Sequence, residues 1–139
     1  MNNDLQVATD ETIILVVSSH GHLRNYYVQI LSALDATILT VTDGFEALDI
    51  LRKTKITAIL SDFLIPGMDG LELYLRTKEL LFNVPFVICS SHINARMVED
   101  ALKIGVMKVL KRPSNKSEIV NVVAEAVEER KRQILQFFC

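Results

Sequence analysis

The residue whose type and setting could do chemistry is Asp62. It stands just beyond the apolar, partly β-branched run Ile56-Thr57-Ala58-Ile59-Leu60, and Ser61 alone separates the two. A run of that length and composition reads as a strand buried on both faces, so Asp62 falls at the strand's carboxyl end. In open parallel sheets ligands and chemistry collect at that edge, because its loops vary without disturbing the core. Phe63-Leu64-Ile65 lead into Pro66-Gly67, a turn, and Asp69 is placed to cap a helix that starts at Gly70. His20, His22 and His92 follow other apolar runs and fall on the same edge. Imidazoles and a carboxylate can gather a transition metal, but His-x-His is a weak motif and loop histidines are usually just solvated. No Gly-rich phosphate loop, nucleophile elbow or His-Glu-x-x-His is present, which disfavours nucleotide-binding and hydrolytic enzymes.

The elements that must position Asp62 alternate regularly. Ile13 to Val17 reads as a fully buried first strand that ends at Ser18 and Ser19. Leu23, Tyr26, Tyr27, Ile30, Leu31 and Leu34 then mark the core face of a first helix. Ala36 to Val41 is the second strand, and Asp43-x-x-Glu46 resembles a capping box opening a second helix with Ala47, Leu48 and Leu51. Beyond Asp62, a third helix is expected to turn Leu71, Tyr74, Leu75 and Phe82 inward, and Val84 to Cys89 is the fourth strand, ending at Ser90-Ser91-His92. The fourth helix spans 95–104 and stops at Gly105, a left-handed cap. Val106 to Leu110 is the fifth strand and ends in Lys111-Arg112-Pro113. The last helix opens at Asn115-x-x-Glu118 and carries Ile119, Val122, Val123, Ala126 and Val127 inward. Such alternation requires right-handed crossovers and a parallel sheet covered on both faces. The expected fold class is α/β, a flavodoxin-like (βα)5 doubly wound sheet of five parallel strands in the order 2-1-3-4-5. That topology delivers Ser18, Ser19, Asp62, Ser90 and Arg112 to one edge.

Asp-x-x-x-Pro-Gly-Met-Asp-Gly after an apolar strand resembles the phosphoacceptor segment of two-component response-regulator receiver domains. The order of elements extends the resemblance over roughly the first 130 positions. It implies a signal-transduction module that accepts a phosphoryl group on Asp62 from a sensor histidine kinase or phosphotransfer protein, a phosphoprotein rather than an enzyme beyond self-catalysed transfer and loss of that group. Counted from Pro85, Ser90 takes the role of the hydroxyl that bonds the phosphoryl group, and Arg112 supplies a cation just before the proline. Asp62, the Leu64 carbonyl and Ser19 are the implied metal ligands. The domain is expected over 13–128, after a flexible segment 1–12 and before a helix extension or linker 129–139.

Three departures from the family pattern matter. Receivers usually carry two acidic residues after the first strand to hold a divalent cation; here Ser18 and Ser19 are neutral, so Mg²⁺ binding should be weakened. The usual lysine before the proline is Arg112, whose planar fork is not a geometric substitute for an ammonium group, with Lys111 added beside it. The aromatic that often precedes it by three positions is Val109, which cannot act as a rotamer switch. These changes keep open a second reading, a degenerate receiver-like protein-interaction module that works without phosphorylation.

Bulk properties fit a single domain. A chain of 139 residues buries roughly two thirds of its unfolded surface without staples. With 15 basic and 17 acidic residues the net charge is -2, which implies no nucleic-acid-binding field. Cys89 within an apolar run and Cys139 at the end suit a reducing cytoplasm and no bridge. No apolar stretch approaches the ~20 residues of a membrane span, and no signal-peptide pattern opens the chain. Glu128 to Arg132 reads as solvated, whereas Ile134, Leu135, Phe137 and Phe138 form an apolar end expected to be exposed, a candidate contact for a homodimer or an output domain.

Overall fold

The computed structural model describes residues 11–80 and 82–138, with side-chain surroundings up to Gln136. Cys139, the side chains of Phe137 and Phe138, and positions 1–10 of the expected flexible segment lie outside the described residues. Thr12, the last residue of that segment, is buried, and its carbonyl accepts the Thr37 N–H at 2.8 Å, so this residue is tied to the sheet.

Strand β1 (Ile13–Val17) is buried at all five positions, as an apolar run without alternation requires. Helix α1 (Gly21–Leu31), β2 (Thr37–Val41), α2 (Gly44–Lys53) and β3 (Ala58–Ser61) follow. A short antiparallel hairpin, β4 (Leu64–Ile65) with β5 (Met68–Asp69), leads into α3 (Gly70–Glu79). The chain continues through β6 (Phe86–Ser90), α4 (Ala95–Ile104), β7 (Lys108–Lys111) and α5 (Lys116–Phe138). The sheet is parallel in the order β2-β1-β3-β6-β7, the expected 2-1-3-4-5 once the hairpin is set aside. Two-residue strands carry no periodicity, which is why the hairpin was not legible beyond its Pro66-Gly67 turn; Gly67 has φ +83°, a conformation that favours glycine.

Alternation along the strands divides the core into two layers. Leu15, Val17, Ile59, Phe86 and Ile88 pack with Ala47, Leu48, Leu51, Leu73 and Tyr74 from α2 and α3, and Ala101 from α4. Ile14, Val16, Leu60, Val87 and Cys89 pack on the other face with Tyr27, Ile30 and Leu31 from α1 and Ile119, Val122, Val123, Ala126 and Val127 from α5. The helix expectations need correction in places. Tyr26 is exposed, because the helix meets the sheet through a narrow stripe of Tyr27, Ile30 and Leu31, and Leu34 packs against the core from beyond the end of α1. Leu75 is likewise exposed; Tyr74 faces inward as expected, joined by Leu73 and Thr77, while Leu71 and Phe82 are partly buried against the core. Ile134 is half-buried rather than exposed, and Arg130 on the same stretch of α5 donates to the Asn83 carbonyl at 3.0 Å, which ties the helix to the loop before β6.

The rotation of α3 is fixed at its start. The Asp69 carboxylate accepts the Glu72 N–H at 2.8 Å, and the Gly70 N–H donates to the Phe63 carbonyl at 2.6 Å. The Asp43 cap of α2 works the same way, except that Glu46 reaches one residue further back than a full capping box, to the Thr42 N–H at 2.8 Å. A Cβ on Gly70 would lie 2.7 Å from the Asp62 carbonyl oxygen and 3.2 Å from the Phe63 Cα, backbone atoms that cannot step aside cheaply. Gly70→Ala is expected to destabilise the domain by about 1–3 kcal/mol, read as a lower guanidinium midpoint at unchanged slope.

Candidate functional site

Parallel pairing brings the strand ends level. Val17 pairs with Ser61, Ser61 with Ile88, and Ser90 with Lys111, so the residues just beyond β1, β3 and β6 and those ending β7 share one edge. Main-chain bonds extend the pairing into the loops: the Ser18 N–H donates to Val41, the Asp62 N–H to Val17 at 2.9 Å and the Arg112 N–H to Ser90 at 3.0 Å. Functional side chains are therefore held by backbone that behaves as a continuation of the sheet. Ser19, His20, Asp62, Leu64, Ser90, His92, Arg112 and the first turn of α1 line an open cleft of about 850 Å³ at this edge.

Asp62 lies on its floor, 2% exposed. The Ser18 hydroxyl, wholly buried, donates to its Oδ2 at 2.6 Å, and His20 Nδ1 stands 3.9 Å from the same oxygen. Oδ1 is buried and has no partner. Burial pushes the Asp62 carboxyl above the ordinary aspartate range, opposed by the Ser18 hydrogen bond and by the charges of Arg112 and His20. Ser90 is 1% exposed; its Oγ accepts the His92 N–H at 3.0 Å, which leaves the hydroxyl proton free to donate. Ser91 is exposed and meets His92 Nδ1 at 3.1 Å, so the two hydroxyls differ sharply in burial. Arg112 is half-buried, and its Nε is buried without a partner. Lys111, read from sequence as a second cation, is exposed and does not line the cleft. Val109 is half-buried against the layer of α2, α3 and α4. Beneath the site lie Tyr27 and Cys89, whose hydroxyl and thiol are both pushed up by burial.

Of the two serines, sequence reasoning gave Ser19 the ligand role, yet Ser19 is exposed on the rim while Ser18 bonds Asp62. Arg24 was missed altogether: one turn into α1, its Nη1 donates to the Ser18 carbonyl at 2.7 Å. The signal was a basic residue seven positions beyond the end of β1, placed by one helical turn beside the strand end. All three histidines line the cleft, but among the described residues no group of three or more His, Cys, Asp or Glu side chains is gathered to hold a metal ion, so the transition-metal reading gains no support. The donor set for Mg²⁺ is equally thin. Among the described residues Asp62 is the one carboxylate lining the cleft, one of its oxygens is taken by Ser18, and the Ser18 carbonyl is engaged by Arg24. Hard cations need anionic oxygens, so these residues do not fit the ion well.

The fold is a doubly wound parallel sheet with a buried aspartate, a hydroxyl and a cation before a proline gathered at its carboxyl edge. The sequence matches the response regulator receiver domain family over residues 14–124, and the chain belongs to that family. It is 33% identical over 104 residues to the sensor histidine kinase RcsC of Escherichia coli, covering 75% of this chain and 11% of that protein. It is 26% identical over 114 residues to the sporulation initiation phosphotransferase F of Bacillus subtilis, covering 82% of this chain and 91% of that one. Among solved structures, a response regulator receiver domain protein from Clostridium thermocellum superimposes with a TM-score of 0.81 at 18% identity, covering 88% of this chain and 98% of that one. The Francisella response regulator 1452 receiver domain gives 0.80 at 20%, covering 86% and 98%. The chain thus spans about a tenth of the length of the sensor kinases it matches. Receiver domains typically bind Mg²⁺ at the phosphorylation site, interact with histidine kinases or phosphotransfer proteins, and are not in themselves enzymes.

The raised carboxyl carries a stability consequence. A carboxyl whose folded pKa exceeds its unfolded value opposes folding once ionised, so its cost is absent below the unfolded value, about 3.9, and develops as pH rises through the folded one. Asp62→Asn should stabilise the domain at neutral pH. The gain should shrink toward zero as pH falls to the ordinary aspartate range. Thermal unfolding of both proteins across pH checks this, and a gain that grows on acidification would contradict it.

Proposed function

We propose that this receiver domain accepts a phosphoryl group on Asp62 from the phosphohistidine of a sensor histidine kinase or phosphotransfer protein. The observation that supports it most is a buried carboxylate with one oxygen unpartnered, facing a cleft that also holds Ser90 and Arg112. Asp62 Oδ1 attacks phosphorus; a P–O bond forms as the P–N bond breaks, and the departing imidazole nitrogen keeps the bonding pair. The Ser18 hydrogen bond holds the other oxygen and fixes the carboxylate's orientation. Ser90 donates its hydroxyl proton to an equatorial phosphoryl oxygen, and Arg112 balances the charge on those oxygens. Asp62, Leu64 and Ser19 form at most a weakened Mg²⁺ site. The protein works in the cytoplasm as a phosphorelay component, with no nucleic-acid contact of its own; no described helix is long and apolar enough to cross a membrane. The domain proper is 13–128, and 129–139 extends α5 toward a partner, a second copy or an output domain, with Leu135 60% exposed on it. The interaction module that needs no phosphorylation is the reading left if Asp62 proves inert.

Incubation with acetyl phosphate followed by intact mass measurement should give one phosphoryl increment, abolished in Asp62→Asn. Ser90→Ala and Arg112→Gln should each slow its appearance about tenfold or more, the worth of a charge-assisted hydrogen bond. Truncation after Ile134 should weaken self-association or partner binding in sedimentation; no change would remove the tail from the proposal.

A further inference from the structure

The poor fit to a divalent cation raises the question of what replaces it. A phosphoryl group entering the cleft brings negative oxygens to a buried carboxylate, and something must offset that charge. Two features of this chain are suited to it and have no partner in the resting molecule. Arg112 presents a guanidinium whose Nε is buried and unbonded. Helix α1 has no side-chain cap: His20 at its N-cap makes no such bond and its first turn carries no acidic residue, whereas α2, α3, α4 and α5 are capped by Asp43, Asp69, Asn94 and Asn115. That first turn lines the cleft, so its open N–H groups and the positive end of the helix dipole border the oxyanion's place. Asp62 Oδ1, unpartnered in a side chain almost wholly buried, borders the same cleft and is the atom an electrophilic phosphorus would meet there, so the oxyanion's charge must be offset by the groups around it.

The serines take part in the same arrangement. An acidic side chain at position 18 would repel both Asp62 and an incoming phosphoryl group unless a metal ion lay between them. A serine removes that repulsion and adds a donor to Asp62 Oδ2 at 2.6 Å. Arg24, bonded to the Ser18 carbonyl at 2.7 Å, places a further positive charge behind the strand end.

We propose that the cleft holds the incoming phosphoryl oxyanion with protein groups alone, Arg112 and the open first turn of α1, and requires no divalent cation. The inference rests on the reading of Asp62 as acceptor, and two assays separate the two. In the first, the full chain is incubated with acetyl phosphate in excess chelator or in Mg²⁺. A required metal contributes several kcal/mol to such a step, so its removal would cost orders of magnitude, whereas the rates here should agree within about threefold. In the second, inorganic phosphate is titrated in chelator and followed through the backbone amide signals of Leu23 and Ser90. Both should shift, Arg112→Gln should weaken the binding about tenfold or more while leaving the remaining spectrum folded, and Arg112→Lys should recover part of it. Labelling that needs Mg²⁺ overturns the inference and leaves Asp62 as acceptor. Absence of labelling in both buffers, with phosphate still bound in chelator, removes the acceptor and leaves the oxyanion site. Absence of both labelling and phosphate binding removes both.

Discussion

Burial of a single carboxylate at the end of the central strand is the constraint on which the site depends. Asp62 is held out of water, one oxygen bonded to Ser18 and the other unpaired, so its ionised form is disfavoured and reactive geometry is kept at a cost in stability. The Ser18 hydroxyl, donating to Oδ2, eases that burial. A neutral donor orients the carboxylate and cancels part of its desolvation, where a carboxylate would have added repulsion.

The rest of the fold keeps this one residue in place. Asp62 bonds through its N–H to β1 and is followed by a hairpin whose return leg ends at Asp69, the cap of α3. Gly70 then lies against the Asp62 and Phe63 backbone, so that the loop bearing the acceptor is clamped between strand and helix. On the opposite side of the cleft, Arg112 bonds back to Ser90, which ties the cation and the hydroxyl together across β6 and β7. Two apolar layers, each fed by alternate residues of the same strands, leave the sheet's carboxyl edge as the place where polar groups converge.

Much of this was legible in sequence for physical reasons. Continuous apolar runs, three Asx caps and a glycine at the end of α4 each leave a local mark, and together they fix a doubly wound order with Asp62 at the edge. What sequence did not reveal depended on three-dimensional choice among equivalents. Tyr26 and Tyr27 share the same helical pattern, but the narrow contact with the sheet buries only one of them. Leu75 lost its inward place to Leu73 because the cap and the Gly70 contact set the rotation of α3. Ser18 and Ser19 are chemically alike, and only the turn at the strand end decides which reaches Asp62. Arg24 acts through a backbone carbonyl, a contact that no motif records. The loss of the acidic pair was plain from the sequence; that Arg112 Nε and the start of α1 lack side-chain partners required the structure.

The most direct test is chemical trapping of the acceptor. Borohydride reduces an aspartyl phosphate to homoserine, so the phosphodonor-treated chain is reduced, digested and sequenced by mass spectrometry. The account predicts homoserine at position 62 and nowhere else. An unmodified Asp62 in folded, phosphodonor-treated protein, or conversion at another aspartate, would contradict it.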